Sequence, residues 1–215
     1  MTQVLIFDLD GTLIDSSEYY FALDQEVYRR MGLEPPTHEE YFTHFGIPHH
    51  SLMKTLRPQI DLDEYDKISN SLVDLSSIRT FPEAKGAIEE LSKKKHRLGV
   101  LSSGNKQFVE GHLRNNGILE HFEYIHGADS SPYIKPDPRV FDDIVDHFSV
   151  PRPEIIYIGD LVTDFQAANG ANIPFIAVTT GHHDEKRFEA IGCSNIIASL
   201  AQLQDAITHP ETKTS

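Results

Sequence analysis

The sequence predicts an α/β fold built on a doubly wound parallel sheet, and three observations predict it. Short runs of almost continuous apolar character recur along the 215 residues. Stretches with helical spacing separate most of them. The apolar runs lack the alternation of a half-exposed sheet, which suits parallel strands covered on both faces. Strand and helix in alternation then imply a sheet wound on both sides.

The first strand is expected at 4–7, followed by others at 97–101, 155–158 and 174–178, with shorter candidates at 124–125 and 195–198. Helical spacing covers 82–95, 107–115, 138–148, 164–171 and 201–207. The segment 16–80 breaks the rhythm, with helical pieces and no convincing strand. Asp15 followed by Glu18 has capping-box spacing, and Gly32 stands where a helix C-terminus favours glycine. Thr37 with Glu40 forms a second such start after Pro35 and Pro36. Tyr65, Ile68, Leu72, Leu75 and Ile78 recur at spacings of three and four, which predicts one apolar helix face. A helical domain inserted after the first strand is the expectation, with the sheet resuming near Phe81. The polar end, 209–215, is expected to fray.

Composition excludes several functions. Hydrophobic residues make up 39% and charged residues 24%, the balance of a globular protein. No apolar run approaches the ~20 residues of a membrane span, and the N-terminus lacks the basic stretch of a signal peptide. The single cysteine, Cys193, fits a reducing compartment, so a cytoplasmic location is expected. A net charge of −14 argues against a nucleic-acid backbone as partner. The twelve histidines show neither HxH nor HExxH spacing, and the pairs His49-His50 and His182-His183 are merely adjacent.

In open α/β sheets ligands bind outside the carboxyl ends of the strands. Asp8 and Asp10 follow the first strand, Ser102 and Ser103 the second, and Asp160 and Asp164 the strand at 155–158. Lys135 lies in the loop "YIKPDPRVF". Taken singly, Asp8-Leu9-Asp10 could be an acidic turn, Ser102 or Asp164 a helix cap, and Lys135 a solvated lysine. Their joint placement after successive strands is what those readings leave unexplained. Several converging carboxylates call for a divalent cation, and hard oxygen ligands such as Asp8, Asp160 and the Asp10 carbonyl suit Mg²⁺. A lysine and hydroxyls beside it make an anion site matched to phosphate. A carboxylate there can attack phosphorus, and Asp10 is placed to move the proton.

"DLDGT", the hydroxyl after "LGVL", "KPDP" and "GDLVTD", in that order, closely resemble the four motifs of the haloacid dehalogenase-like superfamily. The resemblance covers nearly the whole chain. It implies a Rossmann-like core over 1–15 and 81–215, a helical cap over 16–80, Mg²⁺ dependence and an aspartyl-phosphate intermediate. By that resemblance Asp8 is the nucleophile and Asp10 the acid/base. Ser102, Ser103 and Lys135 hold the phosphoryl group, Asp8, Asp10 and Asp160 hold the metal, and Asp164 supports them.

The second acid, Asp10, favours phosphate-ester chemistry over dehalogenation. Gly159 stands where β-phosphoglucomutase-like members commonly carry an acid, which weighs toward a phosphatase; a phosphotransferase and a non-hydrolytic phospho-receiver remain alternatives. Glu83 stands where a glycine is common. Segments around "FGIPHHSLMKTL" and "TTGHHDEKRFEAIG" look most like the phosphoglycolate phosphatase branch. The expected partner is a small phosphorylated metabolite, phosphoglycolate-like or a pyrophosphate, sugar or nucleotide phosphate, met by a monomer or homodimer. Gly46, His49, Lys54 and Arg57 are the expected cap contacts.

Overall fold

The computed structural model of the protein describes residues 2–208. Its strands are β1 (Val4–Phe7), β2 (Arg97–Leu101), β3 (Tyr124–His126), β4 (Ile155–Gly159), β5 (Phe175–Val178) and β6 (Ile196–Ile197). Among the described residues they form one sheet in the order β3-β2-β1-β4-β5-β6, each neighbouring pair parallel. The chain therefore runs outward from β1 to β3, then returns to β4 on the other side of β1. That reversal places the crevice of a doubly wound sheet beyond the carboxyl ends of β1 and β4.

Burial on both faces explains the unbroken apolar runs. Leu5 and Phe7 of β1 face one core, shared with Ile88 and Leu91 of α5 (Ala84–Lys93) and Val109 and Leu113 of α6 (Lys106–Asn115). Val4 and Ile6 face the other, with Ile144 and Phe148 of α7 (Asp142–Phe148) and Ala167 and Ala168 of α8 (Val162–Gly170). Alternation is present, but both sides are apolar because both are covered.

Between β1 and β2 lie α1 (Ser17–Arg30), α2 (His38–Thr43), α3 (His49–Leu56) and α4 (Leu62–Leu72). They pack on a separate cluster that includes Val27, Tyr28, Tyr41, Leu52, Met53 and Tyr65. The Thr37–Glu40 capping box forms as expected, with both reciprocal hydrogen bonds. The Asp15–Glu18 box does not. Ser16 is the N-cap of α1 without a side-chain cap bond, and its hydroxyl donates to Asp10 instead. The apolar face expected from Tyr65 to Ile78 also divides. Helix α4 stops at Leu72, and Asp74 takes up the Ser76 amide, starting a 3₁₀ turn at Leu75–Ser77. Ile78 is buried in the sheet core rather than with Tyr65. The helix expected at 138–148 opens as a 3₁₀ turn, Pro138–Phe141, because Asp137 accepts from the Arg139 amide. Residues 209–215 lie outside the described ones, and no helix among those described is long and apolar enough to cross a membrane.

Candidate active site

The Asp8 amide donates to the Ile158 carbonyl at 2.8 Å, which extends the β1–β4 pairing into the crevice and presents the Asp8 side chain there. Lys135 meets it from the loop after β3. Its ammonium donates to Asp8 Oδ1 at 2.8 Å, lies 2.7 Å from Asp164 Oδ1, and donates to the Tyr157 hydroxyl at 3.1 Å. An ammonium has three protons, so these partners use its capacity. Burial alone would depress the Lys135 pKa, but Asp164 and Asp8 outweigh it and raise it.

Asp160 is fully buried. Thr12 Oγ1 donates to its Oδ1 at 3.2 Å and the His182 amide to its Oδ2 at 3.1 Å. Gly11, at φ +80°, and Gly181 close over this carboxyl so tightly that a Cβ on either would collide with it. Asp164 starts α8, where its Oδ2 accepts from the Leu161 amide at 3.0 Å. Gly159 now has a physical reason: a Cβ there would lie 2.5 Å from Asp164 Oδ2, leaving no room for an acid.

Asp8, Asp160 and Asp164 are buried, and one carboxylate oxygen from each lies within 4.8 Å of the others. Burial pushes the Asp8 carboxyl up to about 7 against the pull of Lys135, with Asp164 and Asp10 adding to the rise. Burial, then Asp8 and Asp164, raise Asp160 well above the usual carboxylate range. One lysine does not neutralise this group. An all-oxygen, acid-rich set with closely approaching backbone fits a hard divalent cation. The side chains grouped this way include Asp164, expected behind the ligands, while the partly exposed Asp10 side chain stands apart and accepts from Ser16.

The remaining expected residues divide. Ser102 is buried and accepts from the Gly104 amide at 3.0 Å; the N-cap of α6 is Asn105, so Ser102 is not a helix cap. Ser103 Oγ donates to the Gly46 carbonyl at 3.1 Å, joining the helical segment to the sheet. Gly46 and His49 line a cleft of about 450 Å³ that opens above Asp8 and Lys135. Lys54 and Arg57 are not in its lining. The Lys54 ammonium donates to the Ile60 carbonyl at 2.6 Å and Arg57 to the Leu56 carbonyl at 2.7 Å. Their charges answer backbone carbonyls at the end of α3 and in the loop after it rather than the cleft.

Sequence reasoning missed Tyr157, which reads as one more apolar strand residue; a buried tyrosine hydroxyl needing a partner was the available signal. It also missed the contact of Tyr20 with His112 Nε2, 2.6 Å, and the carboxyl of Asp24, fully buried in α1. Nothing in spacing pairs residues so far apart in the chain.

A doubly wound sheet with acids and a lysine converging at its crossover defines a hydrolase-type site, and the chain belongs to the haloacid dehalogenase-like hydrolase family, whose model matches residues 5–178. Among curated relatives, phosphoglycolate phosphatase of Rhodobacter capsulatus is 28% identical over 191 residues, covering 85% of this chain and 86% of that one. Phosphoglycolate phosphatase of Vibrio vulnificus is 25% identical over 219 residues, covering 95% and 96%. A solved haloacid dehalogenase-like hydrolase of Streptococcus pneumoniae superposes with a TM-score of 0.82 at 22% identity, covering 96% and 98%; at that identity the likeness concerns the fold.

Proposed function

We propose that the protein is a Mg²⁺-dependent phosphatase of small phosphorylated metabolites that works through an aspartyl phosphate on Asp8. The observation that carries this reading is the buried Lys135 ammonium bonded to Asp8 at the floor of the cleft. It gives the nucleophile a fixed direction and places a positive charge beside an incoming phosphoryl group.

An Asp8 oxygen attacks phosphorus, and the bond from phosphorus to the leaving oxygen breaks. Asp10 gives its proton to that oxygen. A water then attacks the phosphorus of the aspartyl phosphate, passing a proton to Asp10 and releasing phosphate with Asp8 restored. Asp10 suits the shuttle because it is partly exposed, so its proton exchanges with solvent, and the Ser16 hydroxyl holds its carboxyl in place. Lys135 orients Asp8, and the Ser102 hydroxyl, accepting only from Gly104, keeps its proton for a phosphoryl oxygen. Asp8, the Asp10 carbonyl and Asp160 would hold Mg²⁺, which would supply positive charge to offset the phosphoryl oxygens. Residues 16–80 act as a cap that excludes water. The single cysteine accords with a cytoplasmic setting.

The test is phosphate release from a panel of phosphorylated metabolites with and without Mg²⁺, using Asp8→Asn as control. Mg²⁺-dependent release that disappears in the variant is the expected result. Release retained in Asp8→Asn overturns the mechanism. Asp10→Asn should slow turnover by about 10²–10⁴-fold, the usual contribution of a general acid–base group.

A further inference from the structure

The charges lining the cleft are already paired. His49 Nε2 lies 3.4 Å from Asp24 Oδ1, and His50 Nε2 lies 2.8 Å from Asp66 Oδ1. Lys135 is shared between Asp8 and Asp164. Burial holds His112 toward its neutral form, and its Nε2 is taken up by Tyr20. Lys54 and Arg57, the cations expected to greet an anion, are outside the lining. Asp10 adds negative charge to it. A second anionic group on a substrate would therefore lose its water without gaining a counter-charge, a steep cost in a partly closed site.

The walls are aromatic instead. Tyr20, Phe45 and Phe108 present partly exposed rings to it, whereas Tyr41 and Tyr65, 0% and 1% exposed, border it from within the helical core. The Tyr41 hydroxyl donates to Asp24 Oδ2 at 2.7 Å, and the Tyr65 hydroxyl donates to Asp24 Oδ1. Asp24 thus holds both buried phenols by their polar ends within the helical core. On one side Asp66, Ser69 and Asn70 of α4 offer hydrogen-bonding groups to this otherwise apolar space. At about 450 Å³ the cleft is far larger than a phosphoryl group on a two-carbon acid requires.

We infer that the cap selects a phosphomonoester whose leaving group is an uncharged ring. Ring faces of a nucleoside or a sugar pack on Tyr20, Phe45 and Phe108, and hydroxyl or base edges reach Ser69 and Asn70. This rests on the phosphatase reading and departs from the substrate named for the curated relatives.

The experiment compares kcat/KM with Mg²⁺ for adenosine and uridine 5′-monophosphates, glucose 6-phosphate, phosphoglycolate and, as a small reactive acyl phosphate that reports phosphoryl-transfer competence, acetyl phosphate. At least one ring-bearing ester should exceed phosphoglycolate by about tenfold or more, and which one it is separates nucleoside from sugar. Phosphoglycolate equal or better overturns the inference while leaving the phosphatase reading standing. Failure of every compound, acetyl phosphate included, removes the phosphatase reading and the inference with it. In Asn70→Arg, an exposed position on α4, the ratio of phosphoglycolate to ring-bearing ester should rise about tenfold, because a cation is then added to the cleft lining. An unchanged ratio contradicts the charge argument even if the wild-type preference is as expected.

Discussion

Lys135 touches Asp8, Asp164 and Tyr157 at once, yet the acids around it still outnumber it. Burial of these acids, with the repulsion among them, is a stability term with a definite sign. The Asp8 carboxyl titrates at about 7 when folded, above its ordinary value of 3.8. Between those values the folded state binds the extra proton, so stability falls as pH rises through this window. In metal-free buffer, thermal melts should show Asp8→Asn at least as stable as the wild type at pH 8 and losing this advantage at pH 4. Adding Mg²⁺ should raise the wild-type melting temperature more than that of Asp8→Asn. A variant markedly less stable than wild type at pH 8 without metal would show that Lys135 already neutralises the cluster.

The acids and the lysine were legible as residues because each follows a strand, and strand ends are where a wound sheet gathers its ligands. What each side chain binds was not legible. Asp164 and Lys135 are 29 positions apart yet bonded, and Tyr157 joins them from inside an apolar strand. Ser16 illustrates the same limit. Its cap position was readable, but its hydroxyl is drawn to Asp10, a choice only proximity in space decides.

At the scale of elements, local rules succeed where no distant partner competes. The Thr37 box forms because Thr37 and Glu40 find only each other's backbone amides. Thr37→Ala should destabilise the protein by about 1 kcal/mol, read from urea denaturation, since it leaves an amide at the start of α2 unpartnered. Helix α2 carries Tyr41 and Phe42 into the helical core, so the loss should be transmitted beyond one turn. The face drawn from Tyr65 to Ile78 failed for the opposite reason. Periodicity records which residues are apolar, not which core receives them, and Ile78 belongs to the sheet. Asp74, by capturing the Ser76 amide, ends the helical register between the two cores.

At the scale of the whole molecule, the helical segment and the sheet meet through a few contacts around the cleft. Ser103 bonds the Gly46 carbonyl, Tyr20 contacts His112, and the His182 ring stacks on Phe42 with centroids 5.2 Å apart. The backbone amide of His182 serves Asp160, whereas its ring serves the helical segment. His182→Ala therefore separates the two roles. It should lower kcat/KM several-fold by loosening the closed arrangement while the melting temperature changes by only a few degrees. Unchanged kinetics would mean that this ring contributes nothing to closure.

The sequence by itself determined the sheet, its doubly wound character and the acids that border its crossover, because burial on two faces and strand-end placement leave their mark on neighbouring residues. The tertiary structure alone decided how those charges pair, why Gly159 has no side chain, and that Lys54 and Arg57 face backbone carbonyls while Tyr20, Phe45 and Phe108 line the cleft. These outcomes depend on approaches within a few ångströms between residues distant in the chain, and residue order does not encode such distances.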